Sequence, residues 1–175
     1  MSTVDGAICS SDDFGVLTFN PGSFDFGTYE TRMDTPAWYV TDLTELWMPP
    51  AQRGSNVIIP GAHGTRPYRR MKTETDVGLP MVISGAVDQF GTPFGNVLEG
   101  LRLNLEWLGE NVVDPPPDGS ATRSATLTSP DGLSLLTADV QVLALDRGSE
   151  HLDELVTRAV LHVRIPAGRF AELIS

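Results

Sequence analysis

The sequence contains few cysteines and few basic residues. Cys9 is the only cysteine among the 175 residues, so no disulfide can form within the chain and a metal cluster held by several thiolates of one chain is excluded. Twelve basic residues stand against 23 acidic ones, which leaves a net charge of -11. This acidic excess argues against a conventional DNA- or RNA-binding domain and against docking on anionic lipid, since both need basic surfaces.

The chain also lacks long hydrophobic runs. No apolar run approaches the roughly 18 residues that a membrane-spanning helix needs. Residues 1–6 do not show the basic stretch and following apolar stretch of a secretory leader. We therefore expect a protein that is made in a cytoplasm and has no membrane partner.

Sequence motifs for covalent catalysis and phosphate binding are missing as well. The chain has no G-x-S-x-G, no G-x-x-x-x-G-K-[ST] and no G-x-G-x-x-G. His63 lies in a glycine-rich segment and is interpreted as a turn or contact residue in preference to a general base. His151, Asp153, Glu154 and His162 would bind a metal only if a hairpin brought them together, and a solvated turn is the simpler interpretation. We predict that the protein is not an enzyme and holds neither a cofactor nor a metal.

Alternating apolar residues predict several antiparallel strands. The pattern is clearest near the C-terminus, where Ala159, Leu161, Val163 and Ile165 occupy every second position. Further strands are predicted at residues 37–43, 77–84, 121–128 and 133–145, with turns at 130–132 and 147–149. Pro80 places one of these strands near a sheet edge or a bulge.

One helix stands out among the predicted strands. Thr92 and Pro93 are residue types of an N-cap and a first helical position, and apolar residues then recur at steps of three and four until the helix ends near Asn111. The stripe consists of Phe94, Val97, Leu98, Leu101, Leu105 and Leu108. Together these elements predict a mainly β fold, an antiparallel β-sandwich or barrel with one packed α-helix.

The chain divides at about residue 35. Residues 1–35 are rich in Gly, Ser, Thr, Asp and Pro and predict an N-terminal arm with a short edge strand at 24–29. Residues 36–175 are predicted to form the β-sandwich domain. The three tryptophans are interpreted as core or interface residues in preference to a ligand cage: Trp38, Trp47 and Trp107.

Residues 49–72 form a predicted loop that is long for a compact domain and strongly basic. From Arg53 to Lys72 there are five bases and no acid, so this basic segment is +5 while the rest of the chain is -16. A strand candidate lies within it at 56–59. The bases either pair with acids of the same chain or reach an acidic surface on a second copy or a partner. We predict an inter-subunit or inter-ring contact formed by Arg53, His63, Arg66, Tyr68, Arg69, Arg70 and Lys72.

The order of several motifs resembles a known family. Residues 37–43 (AWYVTDL), residues 53–64 (RGSNVIIPGAHG), the Leu-rich helix and residues 163–170 (VRIPAGRF) resemble minor tail proteins of long-tailed actinobacterial phages, which are similar to the distal tail and tail-tube family. The resemblance covers roughly residues 36–172. It implies an antiparallel β-sandwich flanked by an α-helix, a tail-tube-like fold whose copies join their sheets into a hexameric ring. It also implies that the long loop contacts a neighbouring subunit or ring.

The leading hypothesis is therefore a virion structural protein of the phage tail, assembled in the host cytoplasm. We expect a distal tail protein of the tail tip or baseplate hub, with other copies of itself, the tail tube, the tape measure protein and the tail-tip hub as partners. DNA would pass through the ring lumen without specific binding, because an acidic wall repels phosphates. A tail-tube or tail-terminator subunit is the alternative within assembly, and a carbohydrate- or ligand-binding β-sandwich module is the alternative of another class.

Overall fold

Strands dominate the regular structure in this computed structural model of the chain. The structure describes residues 16–20, 24–26, 37–48, 52–53, 57–58, 65–66, 71–88, 90–116, 118–129, 133–153 and 156–172. The strands in these ranges are β1 (Val16–Asn20), β2 (Phe24–Phe26), β3 (Trp38–Val40), β4 (Gln52–Arg53), β5 (Val57–Ile58), β6 (Thr65–Arg66), β7 (Met71–Lys72), β8 (Thr75–Ser84), β9 (Arg123–Thr128), β10 (Leu135–Asp153), β11 (Val156–Ile165) and β12 (Ala171–Glu172). The α-helix, α1, covers Val97–Leu108 and continues into a π-helical turn at Gly109–Val113, while a short 3-10 helix covers Thr44–Trp47.

Eight of these strands form one antiparallel sheet in the order β2-β1-β9-β10-β11-β8-β3, with β12 beside β10. The long strand β10 joins the two halves of the sheet, because residues 135–140 pair with β9 and residues 141–153 pair with β11. β2, at one end of this order, lies close to β3 at the other end. The sheet is therefore curled, and the prediction of a mainly β fold with one helix is confirmed.

Alternation along the strands directs one face of the sheet inward. In β11 the four predicted positions are buried, and β8 places apolar residues opposite three of them in register, as in the pair Leu161 and Leu79. From the other half, Leu17, Ala125 and Leu127 enter the same cluster. Each large apolar side chain buried in this way contributes about 1.5–3 kcal/mol to folding. The two halves of the curled sheet thus enclose a common core.

The helix begins four residues later than predicted. Asn96 is the N-cap, and its side-chain oxygen accepts hydrogen bonds from the backbone N–H groups of Leu98 and Glu99. Pro93 is not a first helical residue, because it pairs with Val87 in a β-bridge. The prediction that Leu98 belongs to the buried stripe is also wrong, since its side chain is 64% exposed.

Close backbone contact positions α1 against the sheet. A Cβ atom on Gly100 would overlap the carbonyl oxygen of Gly85, and one on Gly85 would overlap the carbonyl oxygen of Val97. Asn104 is buried and donates two hydrogen bonds from Nδ2, to the carbonyl oxygens of Ser84 at 2.7 Å and of Val87 at 2.8 Å. The helix is therefore anchored on the segment that follows β8 by both shape and hydrogen bonds.

The predicted turn at 147–149 is wrong. β10 continues to Asp153, and Arg147 pairs with Ala159 in β11. The pairing shifts register between Arg147 and His151, so the glycine and serine of this region lie at an irregularity within a strand. Pairing with β11 overrides the turn composition of the local sequence.

The predicted long loop contains short strands. β4 pairs with β7, and β5 pairs with β6, each over two residues. The strand candidate at 56–59 corresponds to β5, Val57–Ile58. The arm predicted at 1–35 contributes β2 within the expected 24–29 region and also β1, which pairs with β9.

Candidate assembly surfaces

Four of the seven predicted contact residues, His63, Tyr68, Arg69 and Arg70, lie outside the described residues. The other three belong to the short strands. Arg53 pairs with Met71 and Lys72 pairs with Gln52, so Arg53 and Lys72 occupy neighbouring positions of one strand pair, whereas Arg66 belongs to the other pair. The role of these residues in a contact between copies stays a prediction.

One edge of β8 pairs with β3 only at residues 81–83, and no other described strand covers it before Pro80. The carbonyl oxygen of Pro80 accepts a hydrogen bond from the backbone N–H of Thr41 at 2.8 Å, just past the end of β3. Because backbone groups of a strand alternate in direction, Gly78 presents its N–H on the same side, and β3 does not extend that far. The Gly78 N–H donates to the carboxylate of Glu45 at 3.2 Å. The prediction that Pro80 lies near a sheet edge is confirmed.

β10 provides a second open edge. Over residues 141–153 it pairs with β11, and none of the strands that the structure describes pairs with its other side. β10 and β8 flank β11, so the two open edges lie at opposite ends of the sheet half β10-β11-β8. Open edges present unpaired N–H and C=O groups and are sites where strands of other chains can add.

The outer face of this sheet half carries paired charges. Arg164 of β11 donates to both carboxylate oxygens of Asp76 on β8, at 2.6 and 2.8 Å. These hydrogen bonds hold the pKa of Asp76 below its ordinary value and raise the pKa of Arg164. His162, predicted to face outward, lies 3.0 Å from the carboxylate of Asp146. Within the described ranges, no group of three or more His, Cys, Asp or Glu residues is arranged to hold a metal ion.

A shallow cleft of about 310 Å³ lies between α1 and the loop that follows β8. We call it the α1 cleft. Its lining consists of Asp88, Phe94, Leu103, Asn104, Glu106, Trp107 and Glu110. We call its apolar lining residues, Phe94, Leu103 and Trp107, the floor and its acidic ones, Asp88, Glu106 and Glu110, the rim. Near it, Phe90 is 76% exposed in the loop that Asp88 begins.

The sequence-based prediction missed this cleft. Phe94 was assigned to the buried stripe and Trp107 to the core or an interface, whereas Leu103 and Glu110 were not singled out. The available signal was spacing, because Leu103, Trp107 and Glu110 recur at four- and three-residue steps and so share one side of the helix. This second side differs from the buried face that contains Leu101 and Leu108.

None of the helices in the described parts of the chain is long and apolar enough to cross a membrane. No protein-family model matches the chain, and no curated protein sequence matches it.

A comparison of folds identifies a similar solved structure. The crystal structure of the distal tail protein Dit of phage SPP1, described as a paradigm of the hub adsorption apparatus in phages that infect Gram-positive bacteria, matches with a TM-score of 0.58. The two proteins are 12% identical, and the match covers 87% of this chain and 50% of the Dit chain. This chain thus spans about half the length of that protein. It has a fold similar to that of a phage distal tail protein.

Proposed function

We propose that this chain is a structural subunit of a phage tail, a distal tail protein whose copies close into a ring at the tail tip. The observation that carries the proposal is the pair of open strand edges, on β8 and on residues 141–153 of β10, at opposite ends of one sheet half. The fold similarity to the SPP1 distal tail protein supports the same function.

Two different edges on one subunit favour a head-to-tail contact. When β10 of one copy meets β8 of the next, each subunit uses both edges, and repetition of the contact closes a ring if the rotation between copies is right. Six copies per ring follow from the motif resemblance. The carboxylate of Glu45 on the Gly78 N–H would be displaced when the incoming strand takes that donor.

The charge of the chain suits a DNA conduit that works by assembly and without catalysis. A net charge of -11 repels the phosphate backbone, which lets DNA pass through a lumen without binding to its wall. In this proposal the protein belongs to the virion tail and is assembled in the host cytoplasm. Its partners are further copies, the tail tube, the tape measure protein and the tail-tip hub.

The basic segment, residues 53–72, forms a second contact between copies in this proposal. Its five bases and the -16 charge of the remaining chain attract each other across an interface, and such attraction sets the register of association. The contact residues proposed are the seven predicted above.

The test is the oligomeric mass, combined with projection images. Light scattering and native mass spectrometry of the purified chain are expected to give a ring mass, and negative-stain images a central hole. A clean monomer at high protein concentration would overturn the proposal and favour the ligand-binding module. Long stacks of rings would instead identify a tail-tube subunit.

A charge-reversal variant tests the basic segment. Arg66→Glu, Arg69→Glu and Arg70→Glu combined are expected to abolish ring assembly while circular dichroism shows an unchanged fold. The matched control is Arg169→Glu, an exposed arginine in the turn after β11, where the ring is expected to persist. Undisturbed rings in the triple variant would remove the basic segment from the contact.

A further inference from the structure

The α1 cleft has a rigid aromatic floor. The indole of Trp107 stacks on the ring of Trp38, with centroids 5.1 Å apart and an angle of 18° between the planes. Trp38 is fully buried, so it restrains the half-buried Trp107, which lines the cleft. Leu103, one turn earlier, is 36% exposed and extends the apolar surface. An apolar surface of this kind binds a planar group by stacking.

Carboxylates surround this floor. Glu106 already accepts a hydrogen bond from Arg102 at 2.9 Å, and the carboxylate of Asp88 accepts one from the backbone N–H of Thr92 at 2.8 Å. Hydrogen bonds from the backbone, that of Thr92 foremost, lower the pKa of Asp88, which keeps the group charged. Among the residues that the structure describes, Glu110 forms no ion pair. The rim therefore retains negative charge that a cation can neutralise.

An arginine side chain can contact both the apolar floor and the acidic rim of the cleft. Its guanidinium is planar, stacks on an indole and donates to carboxylates at the same time, whereas a lysine ammonium is a strongly hydrated point charge. A volume of about 310 Å³ is at the small end of ligand pockets and suits one or two side chains of a segment. The chemistry of the cleft thus points to an arginine-rich peptide.

The chain itself contains such a peptide. Residues 88–118, which include α1 and the cleft rim, carry six acids and one arginine, a balance of -5. The basic segment carries five bases and no acid, a balance of +5, and three of its arginines lie within residues 66–70 beside Tyr68. These are the complementary charges that an interface between two copies needs.

We propose that the α1 cleft binds residues 66–70 of a second copy of this chain. The proposal rests on the ring proposed above and names the surface on which the basic segment docks. One arginine stacks on Trp107 and donates to Glu110, while the remaining arginines face the acids of α1. In a closed ring each copy then provides one cleft and one segment.

A peptide titration tests this contact separately from ring formation. The peptide GTRPYRRMKT, residues 64–73, is titrated by calorimetry into the Arg66→Glu, Arg69→Glu, Arg70→Glu variant, whose cleft no neighbour fills. Saturable binding is expected, together with a shift of the Trp107 indole resonance. Glu106→Gln and Glu110→Gln combined in this receptor are expected to weaken binding about tenfold, the effect of losing charged contacts worth about 1.4 kcal/mol.

Two controls separate specific docking from general attraction between charges. Glu99→Gln removes a carboxylate from the same helix outside the cleft, and it is expected to leave the affinity nearly unchanged. A peptide with lysine in place of the three arginines keeps the charge but loses stacking, and it is expected to bind several-fold more weakly.

Each outcome decides the proposal. The proposal is overturned if the peptide does not bind, or if Glu99→Gln weakens binding as much as the cleft variants do. It is also overturned if the lysine peptide binds equally well, or if rings persist in the triple variant. If wild-type rings form but the peptide does not bind, the ring proposal stands and the cleft is not its contact. If the peptide binds as expected but wild-type protein is monomeric, the cleft stands as a peptide site and the ring proposal fails.

Discussion

The two faces of α1 differ in packing and exposure. The inner face meets the segment after β8 through Gly100 and Asn104, with Leu108 buried beneath them. The outer face exposes Leu98 and presents the acidic α1 cleft. Close packing on the inner face leaves little freedom, because even one added methyl group overlaps backbone atoms. An apolar residue on this helix is therefore not necessarily a core residue, and an exposed apolar side chain is available for a contact with another molecule.

A large loss of stability is expected when the close approach at Gly100 on the inner face is filled. Gly100→Ala places a Cβ atom against the carbonyl oxygen of Gly85 and the ring of Phe94, so we expect a loss of about 3 kcal/mol in the free energy of unfolding. Urea denaturation measures it. The matched control is Gly109→Ala, where a Cβ atom meets nothing within 4 Å. There we expect a gain of up to about 1 kcal/mol from helix propensity. Equal stability of the two variants would contradict the close packing of Gly100 against Gly85.

The next effect concerns the hydrogen bonds of the inner face. Asn104→Ala leaves the carbonyl oxygens of Ser84 and Val87 without their side-chain donor in a buried site, and we expect a loss of about 2–3 kcal/mol. Asn111→Ala is the control, since that exposed side chain donates to one carbonyl, of Trp107, and its loss is expected to cost less than about 0.5 kcal/mol. A small loss at Asn104 would show that water replaces the side chain there.

A substitution on the outer face of α1 is expected to have little effect on folding. Leu98→Lys replaces an apolar side chain that is 64% exposed, so we expect a change within about 0.5 kcal/mol. Leu101→Lys, on the buried face three residues later in the helix, is expected to prevent folding because it buries a charge. Thermal unfolding of both variants compares the faces directly. Severe destabilisation by Leu98→Lys would contradict the difference between them.

The smallest effect extends the comparison to the outer face of the sheet. The pKa of Asp76 is lowered by its hydrogen bonds with Arg164, so the pair stabilises the fold above the unfolded pKa of aspartate, near 3.9, and loses this contribution as the pH falls through the folded pKa. We expect Asp76→Asn to be slightly less stable than wild type at pH 7, with the difference vanishing at low pH and shrinking in high salt. Asp139→Asn, at an exposed aspartate of β10, is the control. If the stability difference between Asp76→Asn and wild type stayed constant with pH, its cause would be packing and not charge.

Local pattern predicted the strands better than their ends. The alternation of Ala159 with Leu161, Val163 and Ile165 requires one face to be buried, so β11 follows from the sequence. The residues Arg147 to Ser149 have turn composition, yet they remain in β10 because of pairing with β11. A Cβ atom on Gly148 would lie 3.1 Å from the carbonyl oxygen of Arg158, which indicates that this glycine permits close approach of the strands.

The prediction of the helix start was wrong for a comparable reason. Thr92 and Pro93 are suitable residue types, but the carboxylate of Asp88 accepts hydrogen bonds from the backbone N–H groups of Phe90 and Thr92 and holds the preceding loop in place. Asn96 then offers the next available cap. Several residues of one stretch can begin a helix, and tertiary contacts select among them.

Four properties could be predicted from the chain without its structure: the fold class, the alternation of buried and exposed residues, the presence of one amphipathic helix and the division of charge between a basic segment and an acidic remainder. These properties depend on residue type and spacing along the chain. Three features became visible only in the folded chain: which edges of the described strands stay open, the stacking of Trp107 on Trp38, and the cleft on α1 that combines apolar and acidic residues. Such features depend on strand order and on contacts between residues far apart in sequence, which periodicity does not encode.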